Sequence, residues 1–135
     1  MARFALTLGA SALAVALFGG SLAAHHSFAA FDRTKTQTWE GIITEVQWKN
    51  PHSWLFVDVV DDKGVKTNWG FESVSPAQFA QRVKPSVLKK GLKISITGNP
   101  GRIPSEHIGV LEQFTIDGLT YYPLKAVGRE RGESQ

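Results

Sequence analysis

Two runs of residues alternate with a period of two, separated by a single hard break, and that pattern commits the front half of the folded chain to β structure. From Trp39 the residues Gly41, Ile43, Glu45 and Gln47 alternate with Ile42, Thr44, Val46 and Trp48. This predicts a strand that carries Ile42, Val46 and Trp48 on one face. Asn50-Pro51 ends it, because proline has no N–H to give to a ladder. Residues 53–60 make the second run, with Trp54, Phe56 and Asp58 opposing Leu55, Val57 and Val59. Asp61-Asp62-Lys63-Gly64 has hairpin chemistry, its glycine able to take a positive φ, and residues 65–72 complete a meander.

Ser75-Pro76 reads as a helix start, serine at the N-cap and proline at the first helical position, where its missing N–H costs nothing. Phe79 and Val83, four apart, give the helix an apolar stripe, and Pro85 ends it or bends the connection after it. Leu92, Ile94 and Ile96 alternate with Lys93, Ser95 and Thr97 in a fourth strand over residues 92–98. A loop at residues 99–109 leads to a fifth strand, residues 110–116, which turns at Asp117-Gly118 into Leu119-Thr120-Tyr121-Tyr122. Three strands, a short helix and two strands is the order of a small five-stranded barrel of the oligonucleotide/oligosaccharide-binding type. An open meander with one helix, or a small sandwich, fits the same order.

Met1-Ala2-Arg3, the apolar run of residues 4–18 and the small residues Gly19-Gly20-Ser21-Leu22-Ala23-Ala24 have the three-part build of a cleavable secretory signal. The run is shorter and richer in alanine and glycine than the roughly 20 apolar residues of a spanning helix. The expected organisation is therefore a signal at residues 1–24, an N-terminal arm at 25–35, a β-barrel-like domain at 36–124 and a disordered tail at 125–135. The expected location is periplasmic or secreted, with no membrane attachment once the signal is cut. There is no cysteine, so neither disulfides nor thiolate ligands are available. The net charge of +3 includes Arg3 of the signal, and so slight an excess of base argues against a nucleic-acid partner.

Catalytic patterns are missing. No serine sits in a Gly-x-Ser-x-Gly elbow, and no glycine-rich phosphate loop or dinucleotide fingerprint occurs, so a non-enzymatic binding domain is expected ahead of a small hydrolase. Four histidines are present. Cleavage after Ala23 leaves Ala24-His25-His26 as the new terminus, where a free amine, two deprotonated amides and the third-position imidazole close a square-planar nitrogen site suited to Cu(II) or Ni(II). Cleavage after Ala24 makes His25 terminal, and its amine and imidazole then chelate together. The bland reading is a polar leader that keeps the cleavage site accessible. His52, in the loop between the first two strands, is a further candidate ligand. Glu72 is a candidate carboxylate ligand or the acceptor that orients His52. His107 reads as a solvated loop residue.

Trp39, Trp48, Trp54 and Trp69, with Phe56 and Phe71, are dense for so short a chain. Such rings serve as core, or as a platform for sugars, bases or other flat ligands. Trp48, Trp54, Trp69 and Glu72 are the candidate ligand-binding residues on the second reading.

With these residues in view, the chain resembles the family of small secreted bacterial proteins known as domain of unknown function 6152. The resemblance rests on Ala24-His25-His26-Ser27-Phe28-Ala29, on Phe31-Asp32, and on the stretch from Gly41 through Asn50-Pro51-His52-Ser53-Trp54. Trp69-Gly70-Phe71-Glu72, Ser75-Pro76, residues 88–91 and Gly98-Asn99-Pro100 extend it over nearly the whole chain beyond the signal. It implies an exported, mainly β, single-domain protein and supplies no activity. The functional expectation is an exported accessory domain whose ligand is a small molecule, a metal ion such as Cu(II) or an extracytoplasmic protein.

Overall fold

In the computed structural model, residues 29–124 are described. They form one mainly β domain of seven strands in a single open sheet, ordered β5-β3-β2-β1-β4-β6-β7. The strands are β1 (Gln37–Gln47), β2 (Trp54–Val60), β3 (Lys66–Glu72), β4 (Lys93–Gly98), β5 (Ile108–Val110), β6 (Gln113–Ile116) and β7 (Leu119–Tyr121). One short helix, α1 (Pro76–Ala80), lies between β3 and β4. Signal, His25, His26 and the tail from residue 125 lie outside the described residues.

The meander β1-β2-β3 is antiparallel throughout, as its alternation predicts. At the β2–β3 turn Gly64 takes φ +78, and the Asp61 carboxylate accepts from Lys63 N–H and Val65 N–H. The helix starts as expected: Ser75 Oγ accepts from Gln78 N–H, with Pro76 in the first turn. Its Phe79 and the following Val83 are buried in the core. Pro85 opens a separate 3-10 turn, Pro85–Val87, instead of extending the helix.

Two expectations need correction. The first is the five-stranded closed barrel. The run expected as one strand at residues 110–116 is interrupted at Leu111-Glu112. Its front, β5, runs parallel to β3. Its back, β6, is antiparallel to β4, and a tight turn with Asp117 at φ 50 and Gly118 at φ 78 adds β7. The sheet curls far enough that residues 99–101 meet 108–110, but they do so through an isolated bridge at Pro100 and Gly109 and not through a continuous ladder. The open meander with one helix is the alternative that fits.

The second is the phase of β1. Trp39 and Ile43 are buried, whereas Ile42 is 44% exposed. The β1–β2 register shifts between Ile43 and Glu45, a β-bulge that reverses which face each later residue occupies. Val46 is thereby turned to pack against the core. The bulge is held from the β4 side, where Ile43 N–H donates to Leu92 O (3.0 Å) and Gly91 N–H to Ile43 O (2.8 Å). The expected result is that Ile43→Ala costs about 2–5 kcal/mol while Ile42→Ala stays within about 1 kcal/mol. Urea unfolding of the two variants checks it, and equal losses would contradict this phase of the strand.

The core joins Leu55 and Val57 of β2, Phe71 of β3, Ile94 and Ile96 of β4, Leu111, and Phe114 and Ile116 of β6. The chain ahead of β1 is tied to it. Phe31 is buried at 2% exposure, Asp32 N–H donates to Pro100 O (2.8 Å) and Arg102 N–H donates to Ala30 O (2.8 Å). The Asp32 side chain accepts from Thr34 Oγ1–H and Thr34 N–H, bonds that hold its carboxyl below the usual carboxylate range.

Candidate functional site

The strand alternation decides which side chains face outward. In β2 and β3, Leu55, Val57, Phe71 and Trp69 turn inward, so Trp54, Phe56, Glu72 and Asn68 share the outer face. The pairings put Trp54 opposite Glu72, Phe56 opposite Gly70 and Asp58 opposite Asn68. On the other flank the β1 bulge sets Gln47 beside Trp54 and Glu45 beside Phe56.

At one end of this face His52, in the β1–β2 corner, pairs through Nδ1 with Glu72 Oε1. The corner contains a cis Asn50–Pro51 bond and is tied to the end of β3, since Ser53 N–H donates to Val74 O (3.0 Å) and Ser73 N–H to Ser53 O (2.9 Å). The two hydrogen bonds bring His52 to Glu72 although 20 positions separate them in the chain. The Glu72 side chain is 11% exposed and the His52 side chain 28%. The carboxylate therefore sits deeper, and the imidazole spans from it toward the surface. With Nδ1–H donating to Glu72, a neutral imidazole presents its lone pair on Nε2. The pair borders a cleft of about 500 Å³ that Ala30 and Phe31 also wall.

Trp54 and Phe56 occupy the middle of the face. Their rings are nearly parallel, at 21°, with centroids 6.4 Å apart, so they are laterally displaced instead of overlapped. They lean across Gly70: a Cβ there would stand 3.2 Å from Phe56 and 3.5 Å from Trp54.

Of the ligand-binding candidates, Trp54 and Glu72 meet with His52 on this face. Trp48 does not join them. It sits edge-on against Phe79, centroids 5.0 Å apart. Trp69 belongs to the inward face, packed on Trp39 and Phe71. His25 and His26 lie outside the described residues. Among the described residues no group of three or more His, Cys, Asp or Glu side chains is gathered to hold a metal. The hydroxyls of Ser53 and Ser73 flank the His–Glu pair in sequence, yet both are sealed from solvent and neither bonds His52. A nucleophile has to reach its substrate, so the arrangement does not make a hydrolytic triad.

Sequence reasoning passed over Gln47, Asn68 and Gly70 as site residues. Asn68 and Gly70 alternate with Trp69 and Phe71 in β3 and were legible as outward positions. Gln47 was not, because the bulge inverts its face. His107, expected to be solvated, is exposed, with its ring 5.3 Å from Trp69.

Among the described residues, no helix is long and apolar enough to cross a membrane. Comparison with known proteins matches residues 13–110 to the model of a family of unknown function. No curated protein matches the chain.

Proposed function

The chain belongs to the family of unknown function DUF6152, and from its signal-like leader and the site geometry we propose that it is an exported, non-catalytic binding domain for a divalent transition ion. Copper(II) is preferred over nickel(II) and zinc(II), and the donors are nitrogens of His25, His26 and His52. One observation carries the reading: a carboxylate at the end of β3 fixes the imidazole of His52. Carboxylate–histidine pairs of this kind fix the tautomer and orientation of metal-ligating histidines and raise their basicity. The cleft they border is also walled by Ala30 and Phe31. His26 precedes Ala30 by four residues, and four residues of chain span at most about 14 Å, which is the reach this reading requires of the arm.

The export reading rests on the signal-like residues 1–24, and it has a chemical consequence. Removal of the signal after Ala23 frees the amine that, with two amides and His26, completes a square-planar nitrogen set. Copper stands at the top of the affinity order for such donors. His52, backed by Glu72, is then an additional ligand from the folded domain.

The test is N-terminal mass analysis of the secreted protein, followed by copper titration of that form and of three variants. His26→Ala, His52→Ala and Glu72→Gln should each weaken binding, the last by roughly 10- to 100-fold as for other carboxylates behind a ligating histidine. The uncleaved precursor should lack the square-planar absorption band. Affinity should also decline on acidification, since protons compete with the ion for its donors. Copper binding no tighter than that of an unrelated secreted domain, or unchanged in His26→Ala, ends the metal reading. Single-stranded DNA should not bind at physiological salt. Tight binding with a steep salt dependence would move the protein to a different class.

A further inference from the structure

Beside the His52–Glu72 pair, the outer face has a second cleft, of about 350 Å³, with different chemistry. Its floor is the Trp54–Phe56 pair, and its polar rim is formed by Gln47, Asn68, Glu106 and His107. A volume of this order lies at the lower end of small-molecule sites.

We infer that this cleft binds a neutral saccharide, one or two rings of a glycan laid flat on Trp54 and Phe56. The floor is the first reason. Two large aromatic rings on the solvent side of a sheet, half-buried and nearly parallel, present apolar surface that the fold does not cover. Gly70 lets both rings fold down across β3, where any side chain would push against Phe56 at 3.2 Å. An aromatic face of this kind accepts the C–H face of a pyranose, and sequence-tolerant stacking on such rings is a general binding device.

The rim is the second reason. Sugar hydroxyls both donate and accept, so they are matched by planar amides and carboxylates, which offer fixed donors and acceptors side by side. The amides here are already set. Asn68 Nδ2 donates to Asp58 Oδ1 (2.8 Å) and Thr44 Oγ1 (3.0 Å), which leaves its carbonyl oxygen as the acceptor. Gln47 Nε2 donates to Glu45 Oε1 (2.8 Å).

Charge is the third. Among the described residues no lysine or arginine lines the cleft, and the one carboxylate that does is Glu106. A phosphate, a nucleotide or a uronic acid would meet no counter-charge and one like charge. A neutral glycan meets none of that cost.

The proposal is independent of metal binding, and the test is run in EDTA so that the two cannot be confused. The ¹⁵N-labelled protein is titrated with maltohexaose, cellohexaose and chitohexaose at millimolar concentration, with adenosine as a flat, neutral, non-sugar control. The indole N–H signals of the four tryptophans report which ring is touched. The expected result is that at least one hexasaccharide moves the Trp54 indole signal and adenosine does not. Phe56→Ala and Trp54→Ala should each reduce affinity about tenfold or more, and Trp48→Ala should leave it unchanged. Trp54→Phe keeps a ring in place and should retain part of the affinity, which separates loss of the platform from loss of the fold. No movement with any of the three sugars, movement of the backbone amides around the cleft that survives Trp54→Ala, or a response to adenosine as large as to the sugars would each overturn the proposal.

Discussion

Gly98→Ala is expected to lower the melting temperature by roughly 12–24 °C, which corresponds to about 3 kcal/mol for a domain of this size. Gly98 ends β4, at the place where residues 110–112 pass from the edge of β3 to the edge of β4. A Cβ on it would run into the carbonyl oxygen of Val110 and stand 2.9 Å from the carbon of the same group. Both are backbone atoms, so no rotamer change relieves the clash. The main chain itself has to retreat. Retreat is costly because that segment is bonded on both sides: Val110 N–H donates to Asn99 O (2.9 Å), Leu111 N–H to Glu72 O (2.8 Å) and Glu112 N–H to Thr97 O (3.2 Å). Thermal unfolding followed by far-UV circular dichroism measures the shift. A variant that melts within a few degrees of the parent would show that the two segments do not approach so closely.

Phe71→Ala is expected to cost about 3–5 kcal/mol, the range for deleting a fully enclosed aromatic ring. Phe71 has no exposed surface, stands edge-on to Trp39 at 5.0 Å and lies nearly parallel to Trp69 at 6.3 Å. The Cα of Gly109 approaches so closely that a Cβ there would be 3.1 Å from the Phe71 ring. The ring thus fills the space between β1, β3 and β5, and no single neighbour can swing in to replace it. Urea unfolding should show a lower midpoint with an unchanged m-value, since the loss is of native packing and not of compactness. A loss below about 1 kcal/mol would mean that the cavity collapses, contrary to this packing.

What the residue pattern revealed and what it concealed divide along physical lines. Alternation in β2 and β4 gave the right faces because both strands are regular, and Leu55, Val57, Ile94 and Ile96 are all buried. The N-cap at Ser75 was legible because capping is local, needing a serine and the three residues after it. The inward face of β1 was misread because a bulge changes the phase without changing the composition, and the bonds beside it, from Ile43 to Gly91 and Leu92, reach nearly 50 positions along the chain. The break at Leu111-Glu112 was hidden for a related reason. Leu111 is apolar and fully buried, so it continues the appearance of a strand while the pairing partner changes from β3 to β4. In the candidate site, His52 and Glu72 were recognisable as chemistry, and their pairing was one of two arrangements the sequence left open. Trp48 and Trp54 look equivalent on either side of Asn50-Pro51. Their separation depends on Phe79, which α1 delivers to Trp48 alone.

The split strand at residues 108–116 has a consequence for how the domain can come into being. A fragment ending at residue 110 would contain every partner strand of the meander and both histidines and carboxylates of the outer face, yet it would lack Leu111, Phe114 and Ile116, three members of the core. It would also leave the β6 edge of β4 as a row of unanswered N–H and C=O groups, the kind of edge that recruits other chains. The contacts that fasten β3 to β5 and β4 to β6 are supplied by the last fifth of the described chain. A polypeptide that emerges from its N-terminus forward therefore completes its interior only when this stretch arrives. It has to wait, nearly complete, for one late stretch of nine residues to knit both flanks at once, which predicts a slow, all-or-none folding step typical of sequence-distant pairing.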